Sequence, residues 1–177
     1  MAHAEQRHFF EQVRNRFADF FHDKKVLDIG SLNINGTARD FFTNCDYTGA
    51  DVGEGPGVDI VCAGEDLQFD DNSFDVVLSA ECFEHNPQWI ATFANMIRMS
   101  RHLVIMTCAT TGRAEHGTHR ATPGASPHTV GWDYYKNLTE EDFREAFDLD
   151  ELFTEHTFEV NQQSHDLYFV GIVKENA

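Results

Sequence analysis

Two carboxylates and a glycine form the first pattern in this chain that could do chemistry. Asp28 and Gly30 fall at the end of the run Val26-Leu27-Asp28-Ile29-Gly30-Ser31, and Asp51 closes Tyr47-Thr48-Gly49-Ala50-Asp51, 21 residues after Gly30. A glycine at a strand tip lets a ligand approach the backbone with no Cβ in the way. An acid about 20 residues further on is placed to accept hydrogen bonds from a ribose diol. An isolated Asp-x-Gly is also ordinary turn chemistry, but with Asp51 it points to a cofactor that carries a nucleoside.

A second pattern is built on histidine and arginine. His85 follows an apolar run in Glu84-His85, and His116 lies in Arg113-Ala114-Glu115-His116-Gly117-Thr118-His119-Arg120. An imidazole that titrates near neutrality suits a general base, so His85 and His116 are the candidate catalytic residues. Arg113 and Arg120 have the chemistry to clamp a phosphate or carboxylate bidentately. With Glu115, His119, Tyr134 and Tyr135 they form the candidate substrate set. His116 and His119, three apart beside Glu115 in a glycine-containing loop, have no specific ligand spacing, so no metal site is expected. Cysteines 45, 62, 82 and 108 form no Cys-x-x-Cys pair, which argues against zinc and disulfides alike.

These residues need elements to hold them. Phe9, Phe10, Val13, Phe17, Phe20 and Phe21 recur at helical spacing and predict a helix over about 4–22. Strands are expected at 25–30, 47–51, 58–62, 74–79 and 103–106. Asn35-Gly36-Thr37 starts a possible helix, Pro87 opens one through Met99, and Thr139-Glu140-Glu141-Asp142 has the form of a capping box for another to about Phe147. Two closing strands are expected at about 151–160 and 167–174. Strands that alternate with helices and are apolar on both faces imply an α/β fold with a mostly parallel sheet, covered on both sides. About thirty residues from Thr107 to Tyr135 lack periodicity, and so long a loop is expected to serve the site. The expected organisation is one domain over 1–177: an N-terminal helix to 24, a cofactor half at 25–106, a substrate loop at 107–136, and a closing helix and strand pair at 137–177.

Charge narrows the ligand. The chain of 177 residues carries 13 bases and 30 acids, a net −17, which argues against a grip on nucleic acid or an anionic membrane. Residues 40–97 hold twelve acids and no base, whereas 98–136 are net +3, the most basic stretch. A dinucleotide's pyrophosphate would be misplaced among those twelve acids. S-adenosyl-L-methionine has no phosphate and carries a sulfonium and an ammonium, and the acidic half suits it. The polar N-terminus has no signal-peptide core and no apolar run is long enough to span a bilayer, so a cytoplasmic monomer or homodimer is expected.

Residues 25–106 resemble the class I S-adenosylmethionine-dependent methyltransferases, and most closely the type 11 branch. The resemblance is carried by Val26–Gly30, Tyr47–Asp51, the stretch Glu65-Asp66-Leu67-Gln68-Phe69-Asp70-Asp71-Asn72-Ser73-Phe74-Asp75-Val76-Val77, Glu81-Cys82-Phe83-Glu84-His85 and Tyr134–Thr139. It implies a Rossmann-like, doubly wound sheet of seven strands with helices on both faces and the last strand antiparallel. It also implies that Asp28, Gly30 and Ser31 lie along the methionine part of the cofactor, with Asp51 and Val52 at the ribose. Glu65, Asp66 and Leu67 would border the adenine, and Ser79, Ala80 and Glu81 the amino group. The chain departs from the family at Leu32 and Ile34, where glycines are expected, and at Ala63, where an acid is usual.

The resemblance implies methyl transfer with S-adenosyl-L-homocysteine as product, and the Arg- and His-rich loop points to a small polar or anionic acceptor, with O-methylation expected. Selectivity would fall to the 107–136 loop, the N-terminal helix or a second subunit. A non-catalytic cofactor binder and a nucleotide-dependent oxidoreductase are the other readings. Asn86-Pro87-Gln88-Trp89 is close to the Asn-Pro-Pro-aromatic signature of adenine methyltransferases, but it opens a helix instead of ending a strand, so base methylation is disfavoured.

Overall fold

A strand covered on both faces must be apolar at successive positions, since neighbouring side chains point to opposite sides. In the computed structural model, which describes residues 4–175, seven strands form one sheet. Residues 1–3 of the polar N-terminal stretch lie outside the described residues. In spatial order the strands are β3 (Ile60–Val61), β2 (Asp46–Asp51), β1 (Lys25–Ile29), β4 (Phe74–Ala80), β5 (Ser100–Ala109), β7 (Asp166–Val173) and β6 (Phe153–Asn161). The first five run parallel, and β7 is antiparallel to both of its neighbours. The strand order therefore reverses at β1, and the crevice between β1 and β4 is the switch point where such sheets bind ligands.

Alternate side chains divide the interior into two cores. Val26, Val76, Leu78, Leu103 and Ile105 pack under helix α1 (Ala4–Arg16) through Phe9, Phe10 and Val13. Leu27, Val77, Val104 and Met106 face the other way, onto helices α2 (Trp89–Met99) and α3 (Glu140–Ala146). The ring of Phe93 is the hub of this second core, with the Phe143, Phe147, Phe169, Phe83 and Phe153 rings 5.1–6.4 Å away. A short helix α4 (Leu149–Leu152) leads into β6. The capping box is made as expected: the Thr139 hydroxyl accepts from the Asp142 amide, and the Asp142 carboxylate accepts from the Thr139 amide. All four cysteines are free.

Several boundaries move for identifiable reasons. The N-terminal helix stops at Arg16 and a 3-10 turn over Ala18–Phe21 follows, which keeps Phe21 buried while the chain swings into β1. The helix expected after Gly36 is only a 3-10 turn, Ala38–Phe41, enough to bury Ala38 and Phe41. β5 is longer than its apolar centre because the polar Ser100 and Thr107 are themselves buried in the ladder. Among the described residues no helix is long and apolar enough to cross a membrane. Because Phe93 is fully buried among five rings, Phe93→Ala is expected to cost about 3–5 kcal/mol, read as a lower midpoint in urea unfolding.

Candidate functional site

A cleft of about 490 Å³ opens over the carboxyl ends of β1, β2 and β4 and is roofed by the loop after β5. Its volume lies in the range of small-molecule sites. The loop is ordered by turns at Pro123–Ala125 and Val130–Trp132 and by the Lys136 amide, which donates to the Glu84 carbonyl at 2.9 Å. It leaves the sheet at Ala109, two residues beyond the Thr107 of the sequence reading.

On the β1–β2 side, Gly30 sits at φ +81°, and a Cβ there would lie 2.6 Å from Cys82 Cβ. The amides of Gly30 and Ser31 both donate to the Ala50 carbonyl, at 2.8 and 3.1 Å. Asp51 faces the cleft with both oxygens engaged. One accepts from the Leu32 amide at 3.1 Å, and the other from the ring Nδ1 of His128 at 2.9 Å. Val52, Glu65, Ala80 and Glu81 also line the cleft, as do Leu32 and Ile34.

The carboxylates of this half are held by neutral donors. Glu65 accepts from Asn86 at 3.1 Å and Thr92 at 2.8 Å. The same Asn86 amide also donates to Thr92, and its oxygen accepts from the Gln88 amide. That commits Asn86 to the start of α2 and occupies the groups a base would need. Glu81 is left-handed at φ +58°, a sparsely populated conformation for a residue with a Cβ. Thr107 and Gln6 of α1 hold its carboxylate at 3.0 and 3.1 Å.

Other predicted cofactor residues lie beneath or beside the cleft. The Ser79 hydroxyl ties β4 to β1 by donating to the Ile29 carbonyl at 2.7 Å. Leu67 is buried in the core, Asp66 is exposed, and Ser31 is buried with no hydrogen-bond partner for its hydroxyl. Asp28 is buried and accepts from the Tyr47 hydroxyl at 2.8 Å, while its other oxygen has no partner. Burial, only partly offset by Tyr47, raises its pKa to about 6.

On the β4–β5 side, His85 and His116 come together. Their ring centroids are 4.9 Å apart, and Tyr135 packs on both at 5.6 and 5.0 Å. Burial lowers the pKa of His85 to about 3, helped by His116, and burial also lowers that of His116. Both imidazoles are therefore neutral at physiological pH. A base works best with a pKa near the working pH, which favours His116 over His85. Beneath them Glu84 is fully buried, and neither carboxylate oxygen has a hydrogen-bond partner. Burial raises its pKa well above the usual carboxylate range, and Glu81 adds to the effect.

The expected substrate clamp is not assembled. Arg113 lines the cleft but donates to the Ser164 carbonyl at 2.6 Å and to the buried Asp166 carboxylate at 3.0 Å. Arg120 is outside the lining and pairs with Glu115 and Asp133. His119 is exposed, and its backbone amide donates to Asp133. Tyr134 and Tyr135 also fall outside the lining, whereas Glu115 is within it.

Residues 27–105 match the family model described as a methyltransferase domain. This stretch is a methyltransferase domain. No curated protein matches the chain. Solved structures resemble it in fold. One is the Burkholderia thailandensis 1,6-didemethyltoxoflavin-N1-methyltransferase with bound 1,6-didemethyltoxoflavin and S-adenosylhomocysteine, at 16% identity and TM-score 0.61 over 94% of this chain and 76% of that one. Another is the Haemonchus contortus phosphoethanolamine N-methyltransferase 2 with phosphomonomethylethanolamine and S-adenosylhomocysteine, at 15% and 0.65 over 95% and 53%. A third is the Synechocystis magnesium protoporphyrin IX methyltransferase with bound SAM, at 11% and 0.62 over 96% and 80%.

Within the methyltransferase domain and its roof, sequence reasoning passed over Glu84 and His128. Glu84 was visible only as part of a longer match, and His128 as one imidazole among ten in the chain. Asp28 generates a test with a definite sign. Its folded pKa is raised, so its ionisation disfavours folding and stability falls as pH rises from about 4 to 6. Asp28→Asn is expected to flatten that fall and to raise stability at pH 7.5 by up to about 3 kcal/mol, measured by urea unfolding at pH 4.5 and 7.5.

Proposed function

We propose that the protein transfers a methyl group from S-adenosyl-L-methionine to an oxygen of a small polar acceptor. The observation that carries this reading is Asp51, which faces the cleft from the end of β2 beside Gly30 and Glu65. The residues present fit such a cofactor. Between Ile29 and Asn86 the cleft lining contains Asp51, Glu65 and Glu81 and neither Lys nor Arg, a field suited to a sulfonium and an ammonium and poorly suited to a pyrophosphate. Asp51 would hold the ribose hydroxyls, which would replace the His128 ring on its carboxylate. Glu65, with Asp66 and Leu67, would border the adenine. Gly30 and Ser31 would run along the methionine over the buried Asp28, and Ser79, Ala80 and Glu81 would meet its amino group. Leu32 and Ile34 add apolar surface to the cleft wall.

S-Adenosylmethionine supplies a methyl group on a sulfonium whose departure needs no acid. The protein must align the acceptor with that methyl and see that the acceptor oxygen loses its proton as the oxygen–carbon bond forms and the carbon–sulfur bond breaks. His116, neutral and at the β4–β5 end of the cleft, is the residue placed to receive the proton. Arg113 and Arg120 already have carboxylate partners, so a hydroxylated acceptor fits better than one that needs a free guanidinium. With Asp51 as the anchor of the ribose, Asp51→Ala is expected to weaken S-adenosylhomocysteine binding at least about tenfold in titration calorimetry while leaving the circular dichroism spectrum unchanged. Unchanged affinity, or tight binding of a nicotinamide dinucleotide by the unmodified protein, would overturn the assignment.

A further inference from the structure

We infer that Glu84, His85 and His116 form a binding site for one divalent transition-metal ion at the β4–β5 end of the cleft. Among the described residues these three offer ligand atoms that all lie within 4.8 Å of one another. Glu84 Oε1 is 3.9 Å from His85 Nε2 and 3.8 Å from His116 Nε2. Imidazole and carboxylate donors at 2.0–2.2 Å from a tetrahedral zinc ion stand about 3.4 Å apart, so an inward shift of about 0.5 Å completes the set. Two imidazoles and one carboxylate suit zinc, iron, cobalt or nickel better than magnesium or calcium, which take oxygen ligands.

One feature points to a cation here, and two more shape the site for it. Glu84 is fully buried and neither of its oxygens has a hydrogen-bond partner, an unsatisfied polar group that a bound metal ion would satisfy. The Ala114 carbonyl lies 3.1 Å from His116 Nδ1. A carbonyl can only accept, so Nδ1 carries the proton and the Nε2 lone pair faces Glu84, the orienting contact that metal-bound histidines make. Third, Gly117 sits at φ +66°, and a Cβ there would come within 2.6 Å of His85 Cε1 and 2.7 Å of Ser126 Cβ. Only glycine lets the loop bring His116 down onto His85.

His85 and His116 line the cleft and Glu84 lies behind them. An ion held there keeps coordination positions open towards the cleft, where an acceptor hydroxyl would bind, be acidified and release its proton to solvent. His116 is then a ligand in the metal-bound protein and the base only in the metal-free one. The metal site does not depend on the cofactor assignment, whereas its use as the acceptor's anchor rests on it.

The test uses the full chain, stripped with chelator, re-equilibrated with Zn²⁺ or Co²⁺ and dialysed. Bound metal is measured by mass spectrometry and the Co²⁺ ligand field by visible absorption. One equivalent is expected, together with a rise in Tm on adding Zn²⁺. Glu84→Gln and His116→Ala should each weaken binding at least about tenfold and abolish the Tm rise, while the exposed control His8→Ala changes neither. The same variants are titrated with S-adenosylhomocysteine, and retained binding shows that the fold and the cofactor site have survived. Metal content below stoichiometric in the unmodified protein, or equal in the Glu84 and His116 variants, would overturn the site. Loss of S-adenosylhomocysteine binding by the unmodified protein would instead count against the cofactor reading alone.

Discussion

The pairing of β4 with β5 is the constraint on which the site depends. Their parallel register sets Ser79 opposite Met106 and Ala80 opposite Thr107, so both strands end at the same level and release their loops into the same space. One step further the Glu81 amide still donates to the Thr107 carbonyl, and the Glu81 carboxylate accepts from the Thr107 hydroxyl. The ladder thus extends into the first residue of the loop and holds Glu81 in its left-handed conformation. From that fixed turn the chain drops Glu84 into the interior and leaves His85 at the cleft wall, opposite the point where the β5 loop delivers His116. A slip of one residue would exchange the two faces of the strand and undo the arrangement.

Burial of charge is the second theme. Asp28, Glu84 and Asp166 are carboxylates in the interior, and each has a different arrangement. Asp166 has Arg113 and the Tyr168 hydroxyl. Asp28 has one hydroxyl donor and an elevated pKa. Glu84 has two imidazoles just beyond bonding distance. The sheet is stable enough to carry all three because both faces are covered by fully buried apolar side chains.

Much of the first half of the site can be read in the sequence because its determinants are local. Gly30 and Asp51 stand at the tips of adjacent strands, and the apolar runs that end in them announce both the strands and their ends. Leu32 and Ile34 could be noticed as departures, although not that they would become walls. The second half depends on long-range pairing and could not be read. Nothing near Arg113 signals that Asp166, 53 residues away, would neutralise it. Nothing near His116 signals that Glu84 would lie beneath it. The break after Arg16 was also hidden, since Phe17, Phe20 and Phe21 keep helical spacing through a segment that tertiary packing turns into a tighter coil. Loop charge alone predicted an anion clamp, but the distant Asp166 takes Arg113, and the loop's own Glu115 and Asp133 take Arg120.

The position of β7 in the sheet bears on how the chain reaches this state. β5 ends at Ala109, yet its outer edge is closed only by β7, which begins at Asp166. During synthesis the central strands can assemble while β5, buried along most of its length in the finished sheet, still shows an open row of amides and carbonyls. The β6–β7 pairing is local in sequence, but it must dock onto β5 with β7 inward. Until it docks, the half-made sheet is a template for the wrong partner, and the interval between making β5 and making β7 is when the molecule is most exposed to aggregation.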